Sequence, residues 1–272
     1  MKKIQSIIAL AGMIIISASC QKDAATVPAT VVREWTVKLN TQNHLTIPAG
    51  RSETGTVKLE LMSNNSLRYT IQVNGLAGGD LLSSANIHTG NAGKNGPLVF
   101  PITTIFSSGN AAGTIENVRN SFADSLEYGD PQLYVNIASA AFPAGLLRGQ
   151  VNTDVEVAVN VTLSGSNLVP PVTTTATGTA VLRLTSEKRL YSTLLVSNAP
   201  AGDAFSRSHI HLGTADINGV SFVRLADNAG DFNVLQTIQL TDAEYSTLKL
   251  NSLYVLVRSN NYLLGILRGQ IR

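Results

Sequence analysis

Residues 56–73 read "TVKLELMSNNSLRYTIQV", with apolar side chains at every second position on both sides of a polar segment. Val57, Leu59 and Leu61 alternate with polar residues, and positions 67, 69, 71 and 73 continue the pattern after the polar segment. A period of two is typical of a β-strand with one buried and one solvated face. The intervening "SNNS" is turn chemistry, so the stretch predicts an antiparallel hairpin.

The sequence around this hairpin occurs twice along the chain. "IPAGRSETGTVKLEL" (47–61) matches "PPVTTTATGTAVLRL" (170–184) at a shift of 123 residues. "GLLRGQV" (145–151) returns as "GILRGQI" (265–271), at a shift of 120 residues. Two halves that keep one register over most of their length indicate an internal duplication.

The duplication predicts an all-β chain with two tandem antiparallel β-sandwich domains of Greek-key-like character, over residues 34–152 and 153–272. One short helix is expected in each domain. In the first domain it is predicted within "ENVRNSFADSL" (116–126). In the second, Thr241 and Glu244 form a capping box, and Leu240 and Tyr245 are spaced for a hydrophobic staple.

Residues 1–19 predict a lipoprotein signal peptide. Two lysines precede an apolar run, which is shorter than the roughly 20 residues of a membrane span, and small residues follow. Cys20, the only cysteine, comes next, and this arrangement resembles the lipobox of bacterial lipoproteins, whose cysteine is diacylated. Residues 20–33 would then form a lipidated tether that holds the protein on a membrane, with plain secretion as the alternative.

The residues after Cys20 bear on location. "QKD" (21–23) resembles the surface-export signal of Bacteroidota lipoproteins, and an ordinary solvated tether is the alternative. Together with the lipobox, this predicts an outer-membrane lipoprotein of the cell envelope, exposed on the surface where the export signal operates.

The charge of the chain does not support a nucleic-acid partner. The first 19 residues hold two of the 20 lysine and arginine residues and no acid, so 18 basic and 18 acidic residues remain. A nucleic-acid-binding domain would carry a basic patch. With no second cysteine for an internal disulfide, the folded domains must be stabilised by burial of apolar surface.

The ordered motifs of the second half resemble the CHRD (chordin-type) domain. They are "LSGSNLVPPVTTTATGTAVLRL" (163–184), "SHIHLG" (208–213), "LTDAEYSTL" (240–248), "LYV" (253–255) and "GILRGQI" (265–271). The first half is similar but more divergent, in "SANIHTG" (84–90), "NGPLVFP" (95–101) and "LYVNIASAAFPAG" (133–145). The resemblance covers residues 34–272 and implies an all-β domain in each half, but it implies little chemistry.

The chain departs from this family pattern at several polar positions. The pattern tends to place His-x-His before a glycine, a further histidine after "LYVN", and an acid after the glycine of the closing strand. Asn86 replaces the first histidine in the first half, while Ala138 and Arg258 stand at the later histidine position. Leu146 and Ile266 stand at the acid position, so a site built from those groups is reduced here.

His209 and His211 are the candidate metal ligands. Two positions apart on a strand, they lie on one face, and imidazoles so placed can bind zinc or copper. A closed site needs about four ligands, to which Asp203 and Asp216 could contribute. The alternative is a polar strand end with hydrogen-bonded histidines. No cofactor is therefore predicted, and an envelope metal-binding domain is the second hypothesis for function.

The sequence contains no recognisable catalytic set. It has neither a G-x-S-x-G nor an H-E-x-x-H motif. Asp80 and Asp203 recur between the copies only singly, whereas glycosidases use paired carboxylates. We therefore expect a non-enzymatic extracellular module that binds or adheres to a protein or a glycan.

Three ionisable positions recur in register: Asp80 with Asp203, His88 with His211, and Arg148 with Arg268. An isolated buried charge is costly, so a strand arginine is expected to be solvated or paired. The recurrence predicts ion pairs between Arg268 and Asp203 and between Arg148 and Asp80, with ligand binding as the alternative. Glu60 aligns with Arg183, which suggests that ordinary surface charges have diverged between the copies.

Overall fold

The computed structural model describes residues 28–103, 105–129 and 132–272. The predicted signal peptide, the lipidation site Cys20 and most of the tether lie outside these residues. Within them, no helix is long and apolar enough to cross a membrane.

The first half of the described chain forms eight strands and one helix. They are β1 Val31–Asn40, β2 Thr54–Met62, β3 Leu67–Asn74, β4 Leu82–Thr89, β5 Leu98–Thr103, β6 Asn110–Ile115, α1 Asn120–Tyr128, β7 Leu133–Ser139 and β8 Leu147–Gln150. The order across the sheet is β5-β4-β7-β8-β1-β2-β3-β6, and every pairing is antiparallel. A single residue pair, Asn40 with Arg148, joins β1 to β8, so the sheet is effectively two four-stranded halves.

The second half repeats this arrangement. Its elements are β9 Val155–Leu163, β10 Thr177–Thr185, β11 Arg189–Ser197, β12 Phe205–Leu212, β13 Ser221–Ala226, β14 Gln236–Gln239, α2 Asp242–Leu250, β15 Leu253–Ser259 and β16 Leu267–Gln270. The two sheets have the orders β14-β11-β10-β9 and β13-β12-β15-β16, and an isolated bridge between Ser164 and Arg268 links their edges. The all-β, two-domain prediction is confirmed.

Each half has its own apolar core. The predicted hairpin is β2 paired with β3, and its inward residues Val57, Leu59 and Ile71 are fully buried. One core cluster runs from Trp35 to Val151 and a second from Val161 to Leu267. The period-two alternation therefore marks the buried face of the strands, as expected from the sequence.

The two helices differ in how well the sequence predicts them. The capping box of α2 is confirmed, since Thr241 and Glu244 each bond the other's backbone N–H. The predicted helix at 116–126 instead occupies Asn120–Tyr128. Asn117 has a φ of +57°, a left-handed conformation that a right-handed helix excludes. Helix α1 ends at Gly129, whose φ of +69° gives a left-handed C-cap.

The two halves meet at a buried arginine. Arg183 is fully buried, and its guanidinium donates to the backbone carbonyls of Asn43 and His44 in the first domain. It also donates to the Val159 carbonyl and the Asn160 side chain, each at 3.0 Å. Burial lowers the pKa of Arg183 to about 10, so it stays charged at neutral pH. The suggestion that Arg183 is an ordinary surface charge is therefore wrong.

Candidate functional site

His211, Arg268 and Gln270, which recur between the copies, lie on the outward face of the sheet formed by β12, β15 and β16. Along β12, Ile210 enters the second core, so the odd-numbered His209 and His211 point the other way. Along β15, Val255 enters the core in the same manner. In register with His211, Tyr254 lies on the outward face.

A three-residue stack occupies this face. The rings of His211 and Tyr254 lie with centroids 5.1 Å apart and planes at 20°. The guanidinium carbon of Arg268 lies 3.6 Å from the centroid of the Tyr254 ring, in a cation–π contact. Because β15 lies between β12 and β16, the two partners approach Tyr254 from opposite sides. Arg268 is only 1% exposed, so this contact is desolvated.

The same arginine ties down the loop between β12 and β13. Arg268 donates to Asn218 Oδ1 at 3.1 Å, to the Thr214 carbonyl at 2.6 Å and to the Ile217 carbonyl at 3.0 Å. Gln270 Nε2 adds a bond of 3.0 Å to the Gly213 carbonyl. Neutral oxygen acceptors therefore satisfy the Arg268 cation without a carboxylate, and its three hydrogen bonds are charge-assisted.

The first domain contains the same stack. The His88 and Tyr134 rings are 5.2 Å apart at 16°, and the guanidinium carbon of Arg148 lies 3.7 Å from the Tyr134 centroid. Arg148 donates to Asn95 Oδ1 at 2.5 Å and to the Lys94 carbonyl at 3.0 Å. Burial lowers the pKa of Arg148 to about 10. The "LRGQ" string thus occurs twice because each domain fastens one loop to its closing strand.

The acids that recur with these arginines have other partners, so the predicted ion pairs are wrong. Asp203 accepts from Ser259 Oγ at 2.6 Å and from the Asn261 N–H at 3.1 Å, at the far end of β15 from Tyr254. Within the described residues, the side chain of Arg268 contacts the carbonyl and amide oxygens of the loop and the Tyr254 ring, and no carboxylate.

In the first domain, Asp80 accepts from Ser139 Oγ at 2.8 Å and pairs with Arg51 at 2.8 Å, not with Arg148. Recurrence of opposite charges therefore does not imply contact, because each charge has its own local acceptors or donors.

A cavity of about 400 Å³ opens beside the stack of the second domain. The loop between β9 and β10 forms one wall, the loop between β12 and β13 a second, and the loop between β15 and β16 a third. The lining residues are Leu168, Val169, Pro170, Val172, His211, Asn218, Gly219, Tyr254, Leu256, Arg258, Leu264 and Gly265. Small-ligand sites are typically concave and mostly apolar, with a few polar groups, and have about this volume.

Two of the lining side chains have polar atoms with no hydrogen-bond partner among the described residues. His211 Nδ1 lies 2.9 Å from the Gly219 carbonyl, so this nitrogen donates and Nε2 is left as an acceptor. Nε2 of His211 is buried and makes no hydrogen bond with a described residue. Nε of Arg258 is likewise buried without a hydrogen-bond partner. Burial lowers the pKa of His211, and the cations Arg258 and Arg268 lower it further. The imidazole is therefore neutral at neutral pH.

The two histidines proposed as metal ligands do lie together. The rings of His209 and His211 have centroids 6.1 Å apart and are perpendicular, and His209 Nδ1 also lacks a hydrogen-bond partner. In the described part of the chain, no group of three or more histidine, cysteine or acidic residues is placed to hold a metal ion. Asp203 is bound to Ser259, and Asp216 accepts from Thr214. The metal hypothesis thus rests on two histidines and stays a prediction.

The corresponding place in the first domain is different. Gly145 is the counterpart of Gly265, and the space in front of it holds the polar side chains of Asn136 and His44. In front of Gly265 the neighbours are Leu168 and Leu256 instead. The apolar cavity is therefore a property of the second domain.

Several residues of the site were missed at the level of sequence. Tyr134 and Tyr254 recur within "LYV", but a tyrosine in a strand is usually a core residue and carries no obvious chemical signal. Asn95 and Asn218 also recur, and that repetition could have identified them as partners of the arginines. Arg258 stands out in the sequence only as a departure from a family pattern.

Comparison with known proteins agrees with this duplicated architecture. The CHRD domain family model matches residues 35–151 and again 159–271. Chordin from Danio rerio is 29% identical over 171 residues, which cover 60% of this chain and 18% of chordin. The chain thus spans less than a fifth of that relative's length. No solved structure matches the chain significantly. The matches at 35–151 and 159–271 show that the chain belongs to the CHRD domain family and carries two copies in tandem.

Proposed function

We propose that this chain is a non-enzymatic extracellular binding module, held on the cell envelope by a lipid on Cys20, and that its second domain contacts the partner. The observation that carries the proposal is the cavity of about 400 Å³, open on the outward face of that domain. A protein or a glycan of the cell exterior is the partner.

The partners of the recurring charged residues favour a binding function over a catalytic one. Arg148 and Arg268 are bound by loop carbonyls and tyrosine rings, and Asp80 and Asp203 by hydroxyl and amide groups. A nucleophile or general base needs a partner within hydrogen-bond reach. In the described residues, these recurring groups are engaged in holding loops to strands.

The anchor is supported by the sequence alone. The experiment is metabolic labelling with palmitate, followed by membrane fractionation and protease treatment of intact cells. We expect palmitate label in the wild type and none in Cys20→Ser, since Cys20 is the only cysteine, and the serine variant should keep its signal peptide uncleaved. Equal labelling of both would refute the lipobox, and protection of the wild type from external protease would refute surface exposure.

The binding function is tested by probing arrays of extracellular proteins and glycans with the purified chain. We expect saturable binding to a defined ligand that is weakened by Leu264→Asp, because Leu264 lines the cavity and is 92% exposed. An unchanged signal in Leu264→Asp would show that the cavity is not the binding surface.

A metal-binding function is the second candidate, because His209 Nδ1 and His211 Nε2 both lack a hydrogen-bond partner. Metal analysis of protein purified without a histidine tag separates the two functions. Near-stoichiometric zinc or copper that is lost in His211→Ala would favour the metal site. Metal-free protein that still binds its ligand would favour the binding module.

A further inference from the structure

We propose that the cavity of the second domain binds an apolar amino-acid residue with a free carboxylate and an acylated amide nitrogen. Arg258 would hold the carboxylate, and His211 would accept a hydrogen bond from the amide N–H. This inference rests on the proposed binding function and names the ligand class. The same chemistry occurs at the C-terminus of a peptide and in a free N-acyl amino acid.

The charge of the cavity favours an anion. Among the described residues that line the cavity, Arg258 is the only charged side chain and none is an acid. Arg148, Arg183 and Arg268 are each bound by several acceptors. The side chain of Arg258, in contrast, makes no hydrogen bond or ion pair with any described residue, and its Nε is buried without a partner. A guanidinium offers a planar fork of donors that matches a carboxylate.

His211 favours a ligand that carries a hydrogen-bond donor as well as the anion. His211 is only 5% exposed, and its Nδ1 proton is committed to the Gly219 carbonyl. The remaining Nε2 lone pair can accept a hydrogen bond from an N–H or O–H group. An amide N–H next to a carboxylate supplies both complements within one residue. Burying Nε2 without a partner is costly, so a ligand that satisfies it gains affinity.

The rest of the cavity is aliphatic. Its apolar walls are Leu168, Val169, Pro170, Val172, Leu256 and Leu264. Leu263 and Leu264 are 70% and 92% exposed at the rim, which extends the apolar surface outward. A leucine-sized side chain would cover these walls and remove them from water.

A sugar fits this cavity less well. Sugars bind commonly by stacking on an open aromatic face. The one tyrosine in the lining, Tyr254, has His211 on one side and Arg268 on the other. No aromatic face is left for a pyranose ring, whereas the aliphatic walls suit an apolar side chain.

The first domain provides an internal comparison. Ala138 stands in the place of Arg258, and Asn136 in the place of Leu256. That domain keeps the stack but has neither the free cation nor the aliphatic wall. Ligand binding is therefore expected at one site for each chain.

The experiment is isothermal titration calorimetry of the full chain with N-acetyl-leucine and with N-acetyl-leucinamide, which lacks the negative charge. We expect the amide to bind at least about tenfold more weakly, since truncating one partner of a buried charge pair is costly. Arg258→Ala should lower the affinity for N-acetyl-leucine by a similar factor. Arg189→Ala, the same charge change on the other sheet, should leave the affinity unchanged.

Measurements of folding distinguish a variant that has misfolded from one that has lost only the contact between Arg258 and the carboxylate. Arg258 makes no side-chain hydrogen bond, so Arg258→Ala should keep the wild-type circular dichroism spectrum and melting temperature. Leu264→Asp, at the exposed rim, should independently weaken the binding of N-acetyl-leucine. Equal affinity for acid and amide, an unchanged affinity in Arg258→Ala, or no binding of N-acetyl-leucine at millimolar concentration would overturn the proposal.

Two further ligands identify the source of the carboxylate. A tetrapeptide that ends in leucine should bind more tightly than N-acetyl-leucine if the natural ligand is a protein C-terminus, and no more tightly if it is a free acid. The proposed binding function can be tested separately: array binding that Leu264→Asp abolishes but Arg258→Ala leaves intact would retain that function and reject this ligand class.

Discussion

Replacement of Arg148 by methionine should destabilise the first domain by about 3 kcal/mol. The change keeps the aliphatic stem of the side chain and removes the guanidinium. Four oxygen acceptors then lose their donor: Asn95 Oδ1, Gln150 Oε1 and the carbonyls of Asn91 and Lys94. The cation–π contact at 3.7 Å to Tyr134 is lost as well.

The magnitude follows from opposing contributions. Hydrogen bonds to a charged group contribute about 1.5–3 kcal/mol each, and a desolvated cation–π contact about 2 kcal/mol. Desolvation of the cation offsets several kcal/mol of this gain. Breaking one side of a buried ionic contact costs about 3–5 kcal/mol, and the lower end applies because neutral oxygens are left behind.

The assay is urea unfolding followed by tryptophan fluorescence. Trp35 is the only tryptophan and lies in the core of the first domain, so its signal follows that domain. Arg68→Met is the matched control, because the Arg68 side chain is 47% exposed and the buried Glu60 keeps Lys58 as a second partner at 3.0 Å. Such pairs contribute about 0–1 kcal/mol. If Arg148→Met lowers the free energy of unfolding no more than the control does, the structural role of the stack is refuted.

Three further predictions concern the stack and the junction. Arg183→Met should uncouple the domains, so that urea transitions monitored by Trp35 fluorescence and by circular dichroism, coincident in the wild type, separate; coincident transitions in the variant would contradict this. Arg268→Met and Asp203→Ala should be additive in free energy of unfolding, and a coupling above about 0.5 kcal/mol would restore the rejected ion pair. Burial lowers the pKa of His44 from 6.5 to about 4. Protonation therefore favours the unfolded chain, and stability should fall by about 2 kcal/mol between about pH 7 and pH 5. Urea unfolding of wild type and His44→Gln at both pH values should show a larger loss of stability in the wild type, since the lowered pKa of His211 contributes a loss to both proteins.

The elements that the sequence predicted are those with local signals. The alternation in β2 and β3 depends only on neighbouring residues, and the capping box of α2 spans four positions. The duplication then repeated the strand alternation in the second domain. The helix at 116–126 was displaced because a left-handed Asn117 leaves no such pattern in the sequence.

The contacts of the charged residues could not be predicted in the same way. Recurrence selected Arg268 and Asp203, but their partners depend on which loop covers which end of β15. Arg183 gave the appearance of a surface residue because its strand alternates normally. Its burial comes from the first domain, which only the three-dimensional arrangement of the two halves reveals.

The aliphatic cavity was missed for a related reason. Its walls come from three loops that are far apart in sequence, and Arg258 becomes unusual only when its surroundings contain no acid. A single cation at a position that differs between the two copies gives no sign of this, whereas the structure places it in the same cavity as the orphaned Nε2 of His211.

The most direct test of the account is a crystal structure of the full chain with N-acetyl-leucine. We predict that its carboxylate lies within hydrogen-bond distance of the Arg258 guanidinium, with the leucine side chain between Leu168 and Leu256. The ligand amide N–H should face His211 Nε2. Density for the ligand elsewhere, or in this cavity with its carboxylate directed away from Arg258, would contradict the account.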